Sequence, residues 1–353
     1  MASTARGAKR RHAISRKMLI FFSASLSCVV VLLLLSLFRF HSPKPSISVS
    51  RVFDGPPKIA FLFLVRRNLP LDFLWDAFFQ NGDVSRFSIY VHSTPGFVLD
   101  ESTTRSQFFY GRQISNSIQV LWGESSMIQA ERLLLEAALE DPSNQRFVLL
   151  SDSCVPLYNF SYVYNYVMVS PKSFVDSFLD VKEGRYNPKM SPKIPREKWR
   201  KGSQWITVIR KHAEAIVDDD VIFSVFKKYC KRRPPIDTSK GKLNLMHGLE
   251  SELERRTITY TLWNQSTTKM ENKGWHPVTF GYSNAGPQRI MEIKGINHVY
   301  YETEYRIEWC RSNSTSVPCF LFARKFSQGA AMRLLSQEVV NHFEVSALLA
   351  TPP

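Results

Sequence analysis

Five cysteines are spread over 353 residues, none spaced as Cys-x-x-Cys, and no histidine cluster accompanies them. A structural zinc site therefore has no ligand set to build on. No Asp-x-Asp closes an apolar run; the one similar stretch, Asp218-Asp219-Asp220, falls between two helical patterns, where it reads as a cap. Glycine and proline, 15 and 19 of them, recur without a period. No internal repeat or low-complexity run is present, which excludes solenoid and collagen-like architectures. The first 50 residues contain no Asp or Glu at all. With 44% hydrophobic and 13% aromatic residues the chain is not disordered, and its length suits one large domain or two small ones.

A longer uncharged run is present near the start. Met18 to Phe38 is 21 residues without a charge, and about 20 helical residues span the hydrocarbon core of a bilayer. Arg6, Lys9, Arg10, Arg11, Arg16 and Lys17 precede it, so the positive-inside rule keeps that end in the cytosol. A cleaved signal peptide would carry a shorter apolar region and a small-x-small site, whereas Phe38-Arg39-Phe40-His41 follows here. The expectation is a type II membrane protein: cytosolic tail 1–17, transmembrane signal anchor 18–38, Pro- and Ser-rich stem 39–57, and one lumenal domain 58–353.

Sequons at Asn159, Asn264 and Asn313 all follow the anchor and are candidate glycosylation sites. Cys28 lies in the apolar run, leaving Cys154, Cys230, Cys310 and Cys319 for an oxidising compartment, where four cysteines allow three pairings. Cys310 and Cys319 are near enough to clip one loop. Of the net charge of +15, the first 50 residues account for +8 (eight Lys or Arg, no acids), leaving +7 for the lumenal part. A basic lumenal domain favours anionic ligands such as nucleoside diphosphates, or acidic glycans, over nucleic acid.

The pattern along the lumenal part is α/β. KIAFLFLV from Lys58, FSIYVH (Phe87–His92), SIQVLW (Ser117–Trp122) and RFVLLSD (Arg146–Asp152) read as buried strands, with SFVDSFLD (Ser173–Asp180) as a possible fifth. LDFLWDAFF after Pro70 reads as a short helix. The clearest helix starts at Ser125 or Ser126 as cap, carries Met127, Ala130, Leu134 and Ala137 on one stripe, and ends at Asp141-Pro142. Residues 185–201 read as a basic surface loop and about 203–229 as helices; the pattern then weakens until ITYTLW (Ile258–Trp263), and CFLFARKF (Cys319–Phe326) reads as a strand or buried segment. In such sheets ligands bind at the carboxyl ends of the strands. Arg66 and Arg67 stand at one such end, and Asp152 at another. Arg324 and Lys325 lie inside an apolar segment, where cations need a buried carboxylate or a bound anion.

KIAFLFLVRRNLPLDFLW, SIYVHSTPGF, FYGRQI, VLWGESSMIQAERLLLEAAL, RFVLLSDSCVPLYNF, RYNPKMSP, WRKGSQW, HPVTF and CFLFARKF occur in this order. Together they resemble the plant branch of the core-2/I-branching β-1,6-N-acetylglucosaminyltransferases, glycosyltransferase family 14, over nearly all of residues 58–326. The resemblance implies a GT-A-like nucleotide-sugar-binding fold, a Golgi location, a UDP-sugar donor, a glycan or glycoprotein acceptor and an inverting transfer. It also implies that basic side chains, not a metal or other cofactor, neutralise the diphosphate. Carried over by position, Val65, Arg66, Arg67 and His92 line the uridine site, Trp122 supplies its aromatic wall and Lys325 meets the diphosphate. The partnering arginine is Arg311 or Arg306. Glu131 and Asp152 fall in matching blocks without a defined role.

One departure stands out. The resemblance implies a carboxylate base within an Asp-Glu-His motif after a Cys-x-Pro, and this chain runs from Asp237 through Lys242, His247 and Glu250 to Arg256 without it. The spacing of Glu250, Glu252 and Glu254 suits a solvated face, not a replacement base. Two expectations result: a UDP-sugar-dependent glycosyltransferase, or a catalytically impaired relative that binds nucleotide-sugar or partner proteins.

Overall fold

The computed structural model describes residues 53–179, 186–229, 249–263, 277–312 and 314–337, all within the compact unit Val52–Pro353. The expected anchor 18–38, most of the stem, Cys230, the sequons at Asn264 and Asn313 and the stretch 230–248 lie outside the described residues. Among those described, no helix is long and apolar enough to cross a membrane. The architecture is mixed α/β around a central sheet.

β1 (Lys58–Leu64) is flanked in parallel by β2 (Phe87–His92) and β3 (Asn144–Ser151). Alternation along β1 explains why an unbroken apolar run is needed there. Phe61 and Phe63 face a core shared with helix α1 (Asp72–Gln80), where Phe63 meets Trp75 edge-on at 5.0 Å. Ala60 and Leu62 face the opposite side, against Leu134, Leu135 and Ala138 of helix α2 (Ser125–Leu139). Aromatic pairs of this kind add roughly 0.5–1.5 kcal/mol each to the burial term. The Trp75 indole N–H also donates to the Cys154 carbonyl at 3.1 Å, tying α1 to the turn that follows β3.

The sheet continues with β6 (Thr207–Ile209), antiparallel to β3, then β5 (Ser173–Phe174) and β7 (Leu253–Glu254), in the order β2-β1-β3-β6-β5-β7. A second sheet joins β4 (Val155–Pro156), β13 (Phe322–Arg324) and β8 (Thr259–Thr261). Because β4 follows β3 within four residues, the C-terminal strand is carried up to the end of the main sheet: Phe326 N–H donates to Ser153 O at 3.0 Å. That crossing is what positions the site.

Several expectations are corrected. Ser117–Trp122 joins no ladder; the nearest bridge is Val91 with Gln113, and the segment has no regular structure, with Leu121 and Trp122 exposed. Its apolar residues line a cleft, not a sheet. Of SFVDSFLD only Ser173 and Phe174 pair regularly, with Phe178 bridging Lys201. The stretch from 203 opens with strand β6, and helices begin only at α4 (Arg210–Asp218) and α5 (Asp220–Tyr229). Helix α2 has Glu124 at its cap without a side-chain bond, since the Ser126 hydroxyl instead accepts from Leu121 N–H at 2.9 Å. The buried stripe of α2 is rotated accordingly to Ile128, Ala130, Leu134, Leu135 and Ala138. Asp219 does cap α5, accepting from Ile222 N–H at 2.8 Å, and Asp220 pairs with Arg132 at 2.9 Å. Cys310 and Cys319 form a disulfide, while Cys154 is a free, buried thiol. Asn159 caps helix α3 (Phe160–Val169), its side-chain oxygen accepting from Tyr162 N–H at 2.9 Å.

Candidate nucleotide-sugar site

In the register of the parallel strands Leu64 lies beside both His92 and Ser151, so the carboxyl ends of β1, β2 and β3 finish at one level. Just beyond that level a cleft of about 350 Å³ opens. Its floor is Leu64, Val65, Ser151 and Asp152; one wall is His92, Ser93 and the Ile118–Val120 segment, with Trp122 and Met127; the other is Gln204, Trp205, Arg324 and Lys325.

Local bonds hold the loops in place. The hydroxyls of Ser93 and Thr94 donate to the carbonyls of Arg67 and Arg66, stapling the loop after β1 to the loop after β2. Gly123 takes φ +82°, a left-handed turn that a side chain would strain, and so lets the chain enter α2 directly after Trp122 at the mouth. The imidazole of His92 is buried, and its Nε2 accepts from Ile118 N–H at 3.1 Å. An accepting Nε2 places the proton of the neutral ring on Nδ1, which has no partner. Burial lowers the His92 pKa from its ordinary value, which favours the neutral ring.

Charge distinguishes the cleft. Three cations, Arg66, Arg324 and Lys325, face one carboxylate, Asp152, among the lining residues. The Arg66–Asp152 separation is 3.9 Å, with Arg66 86% exposed, a pairing worth little in water. Burial lowers the Lys325 pKa, and the charges of Arg324 and Arg66 lower it further. Burial likewise lowers that of Arg324, whose guanidinium lies 4.3 Å over the Trp205 ring while its Nε is buried without a hydrogen bond. Cations that depress one another in a half-buried site are relieved by a bound anion, and a diphosphate supplies several acceptor oxygens at once. Behind this wall Glu131 is buried, its carboxyl pushed up to about 8 by burial, with the Gln204 amide donating to it at 3.4 Å.

Of the residues expected at the donor site, Val65, Arg66, His92, Trp122 and Lys325 come together here. Arg67 does not line the cleft; it lies 5.6 Å over the Phe97 ring. Neither candidate for the partnering arginine reaches it. Arg311 belongs to a small hairpin, β11 (Arg311–Ser312) with β12 (Thr315–Ser316), and is exposed. Arg306 is taken up by Glu304 at 2.7 Å and by Glu308. The resemblance implies an arginine a little upstream of Lys325, and the chain between carries both of these away from the cleft. The cation beside Lys325 is instead Arg324, visible beforehand only as a charge inside an apolar strand. Gln204 and Trp205 lie in the WRKGSQW block but were given no site role, because what brings them to the cleft is the packing of the 201–205 turn. Among the described residues no group of three or more His, Cys, Asp or Glu is placed to hold a metal ion.

Nor do the downstream carboxylates enter the cleft. Glu252 is held by Lys211 at 2.7 Å and by His212 at 3.1 Å, and Glu254 faces Lys172 at 3.8 Å.

The 201–205 turn also yields a sharp steric test. Lys201 and Phe178 exchange both backbone hydrogen bonds at 2.8 Å, and a Cβ on Gly202 would fall 1.6 Å from the Asp176 carbonyl oxygen. Gly202→Ala must therefore push the two segments apart. The expected result is a loss of about 3 kcal/mol or more, read as a fall of several degrees in the melting temperature, with weaker ligand binding as Gln204 and Trp205 move. An unchanged melting curve would contradict this packing.

Comparison with known proteins gives two agreeing sequence matches. The family model for the Core-2/I-Branching enzyme matches residues 59–294. Glycosyltransferase BC10 of Oryza sativa subsp. japonica is 53% identical over 310 residues, covering 81% of this chain and 78% of that protein. Among solved structures, an active-site mutant of LgtC aligns with a TM-score of 0.39 and 10% identity, covering 81% of this chain and 98% of that one, a likeness too slight to define a fold.

Proposed function

The chain belongs to the Core-2/I-branching enzyme family, and on that premise we propose that it is a Golgi glycosyltransferase of GT-A type. It takes a sugar from a UDP-sugar and passes it to a glycan acceptor, with inversion. The observation that carries this reading is the cleft at the ends of β1, β2 and β3, where three cations outnumber the single carboxylate. Arg66, Arg324 and Lys325 hold the diphosphate, doing with fixed positive charge what a bound metal does in other transferases. Val65, His92 and Trp122 take the uridine end. The acceptor hydroxyl attacks the anomeric carbon, the bond to UDP breaks and the hydroxyl proton passes to a base. The accumulating charge on the leaving diphosphate falls beside Lys325 and Arg324. Residues 18–38 anchor the chain as a single-pass type II membrane protein with this domain in the lumen, and Asn159, Asn264 and Asn313 are glycosylation acceptors.

A second reading rests on the carboxylates. Asp152 is the one carboxylate lining the cleft and stands beside Arg66, while Glu252 and Glu254 are engaged elsewhere. Loss of a general base costs roughly 10²–10⁴-fold in rate while leaving donor binding intact. On this reading the chain holds UDP-sugar and turns it over slowly.

Titration of the full-length, detergent-solubilised chain with UDP tests what both readings share: saturable binding is expected, and its absence overturns both. UDP release with mixed glycan acceptors then separates them. Turnover at the rate of a relative that carries the Asp-Glu-His motif sinks the second reading, and saturable binding without turnover sinks the first.

A further inference from the structure

Away from the cleft, β9 (His298–Tyr301) and β10 (Arg306–Trp309) form an antiparallel hairpin whose register pairs Tyr300 with Ile307 and His298 with Trp309. Residues directly opposite in a ladder point to the same face. That face is exposed in all four: Tyr300 at 54%, Ile307 at 49%, Trp309 at 50%, and His298 beside them. The His298 ring lies 4.9 Å from Trp309, and the Arg311 guanidinium 5.9 Å over the same indole.

The opposite face is bolted to the body. Tyr301 is buried and its hydroxyl donates to Asp176 at 2.6 Å; Arg306 donates to the Ser177 carbonyl at 3.0 Å. Glu304, in the turn of the hairpin, accepts from Arg255 at 2.8 Å and from Arg306 at 2.7 Å. At the base Cys310 N–H donates to Asn297 O at 2.9 Å and the Cys310–Cys319 disulfide closes the loop. Rigid mounting of an apolar face in water is unfavourable unless something covers it, and exposed aromatic patches mark contact sites. The mount is also continuous with the cleft. Asp176, gripped by Tyr301, accepts from Ser203 N–H at 2.6 Å, and the next two residues, Gln204 and Trp205, line the cleft wall.

The size and chemistry of the face select its occupant. Four half-exposed side chains offer a few hundred Å², well short of the roughly 800 Å² per partner of a stable protein–protein contact. Two aromatic rings and an imidazole, edged by a guanidinium and a phenol hydroxyl, match a ligand with flat C–H faces and a rim of hydroxyls. A pyranose ring with equatorial hydroxyls has that form. Positions two apart on a strand lie roughly 6.6 Å from each other, so His298 and Tyr300 reach successive rings of a chain.

We propose that the outward face of the hairpin, His298, Tyr300, Ile307 and Trp309, is a docking platform for an oligosaccharide chain of the acceptor, outside the donor cleft. This rests on the glycosyltransferase reading and adds a substrate class to it: an extended chain of pyranose rings.

The test uses the full-length chain with xylohexaose, cellohexaose and β-galactohexaose as probes, followed by tryptophan fluorescence and calorimetric titration, with UDP titrated in parallel. At least one hexaose is expected to bind. Tyr300→Ala combined with Trp309→Ala should weaken it ten-fold or more while leaving UDP affinity within two-fold, and Trp309→Phe should retain most of it. Unchanged hexaose affinity in the double variant overturns the platform, as does a chain that binds UDP but none of the three saccharides. A wild-type dimer that the double variant converts to monomer also overturns it, since a second copy would then cover the face. Failure to bind UDP as well would defeat the transferase reading itself, a separately visible result.

Discussion

Replacing Lys325 with alanine is expected to weaken UDP binding by about 10- to 150-fold, the equivalent of one charged hydrogen-bonding partner at roughly 1.5–3 kcal/mol. The sign follows from the surroundings. Lys325 stands beside Arg324 and Arg66 with one carboxylate in reach, and burial together with those two charges already lowers its pKa. The ammonium is thus held at a cost that an arriving diphosphate repays, and deleting it removes attraction without exposing a buried acid. Lys325→Arg should recover part of the affinity, because it restores charge but not the compact ammonium geometry. Arg67→Ala is the contrasting substitution. Its guanidinium sits over Phe97 outside the cleft, so UDP affinity should stay within about two- to three-fold. Equal losses in Lys325→Ala and Arg67→Ala would show that general basicity, not this cleft, binds the nucleotide. Raising the salt should narrow the gap between wild type and Lys325→Ala.

The second large effect concerns stability. Glu131 is buried in α2 with a carboxyl pushed up to about 8 by desolvation. A carboxyl whose folded value lies above its unfolded value binds more protons when folded. Its contribution is therefore fully present below the ordinary carboxylate range and is lost progressively as the pH rises through about 8. Each unit of that window is worth about 1.4 kcal/mol, which sums to a few kcal/mol. Glu131→Gln keeps the shape and the neutral hydrogen-bonding edge but cannot ionise. It should flatten the fall in stability between pH 5 and pH 8, in roughly that amount. Denaturant unfolding across this range is the measurement. If the variant and wild type share one pH profile, Glu131 is not titrating as a buried acid.

Much of the fold was legible because local pattern and tertiary role agree. Uninterrupted apolar strands such as Lys58–Leu64 need cover on both faces, and α1 and α2 supply it. The helix Ser125–Leu139 announced itself by periodicity and by the Asp-Pro that follows, although Met127, counted as core, turned out to line the cleft. Ser117–Trp122 misled for a physical reason: a run of β-formers becomes a strand only if a ladder is free beside it. Here Gln113 has already taken the edge of β2 at Val91. Within the site, the residues at the ends of β1 and β2 were readable because strand ends are local features. The wall built by Gln204, Trp205 and Arg324 was not, since it depends on the second sheet meeting the end of β3.

Taken by itself, the sequence determined the α/β class, the buried strands at Lys58, Phe87–His92 and Arg146–Asp152, the cations available for an anion and the kinship to branching transferases. These follow from short-range periodicity, composition and ordered motifs, all of which survive without coordinates. Only the tertiary structure decided which cation stands with Lys325, that Glu252 and Glu254 are spent on other partners, and that the aromatics of the 298–309 hairpin share one open face. Each of those is a pairing between segments far apart in the chain or a register across a ladder. Their separation in space is set by the packing of whole elements, and spacing along the backbone carries no record of it.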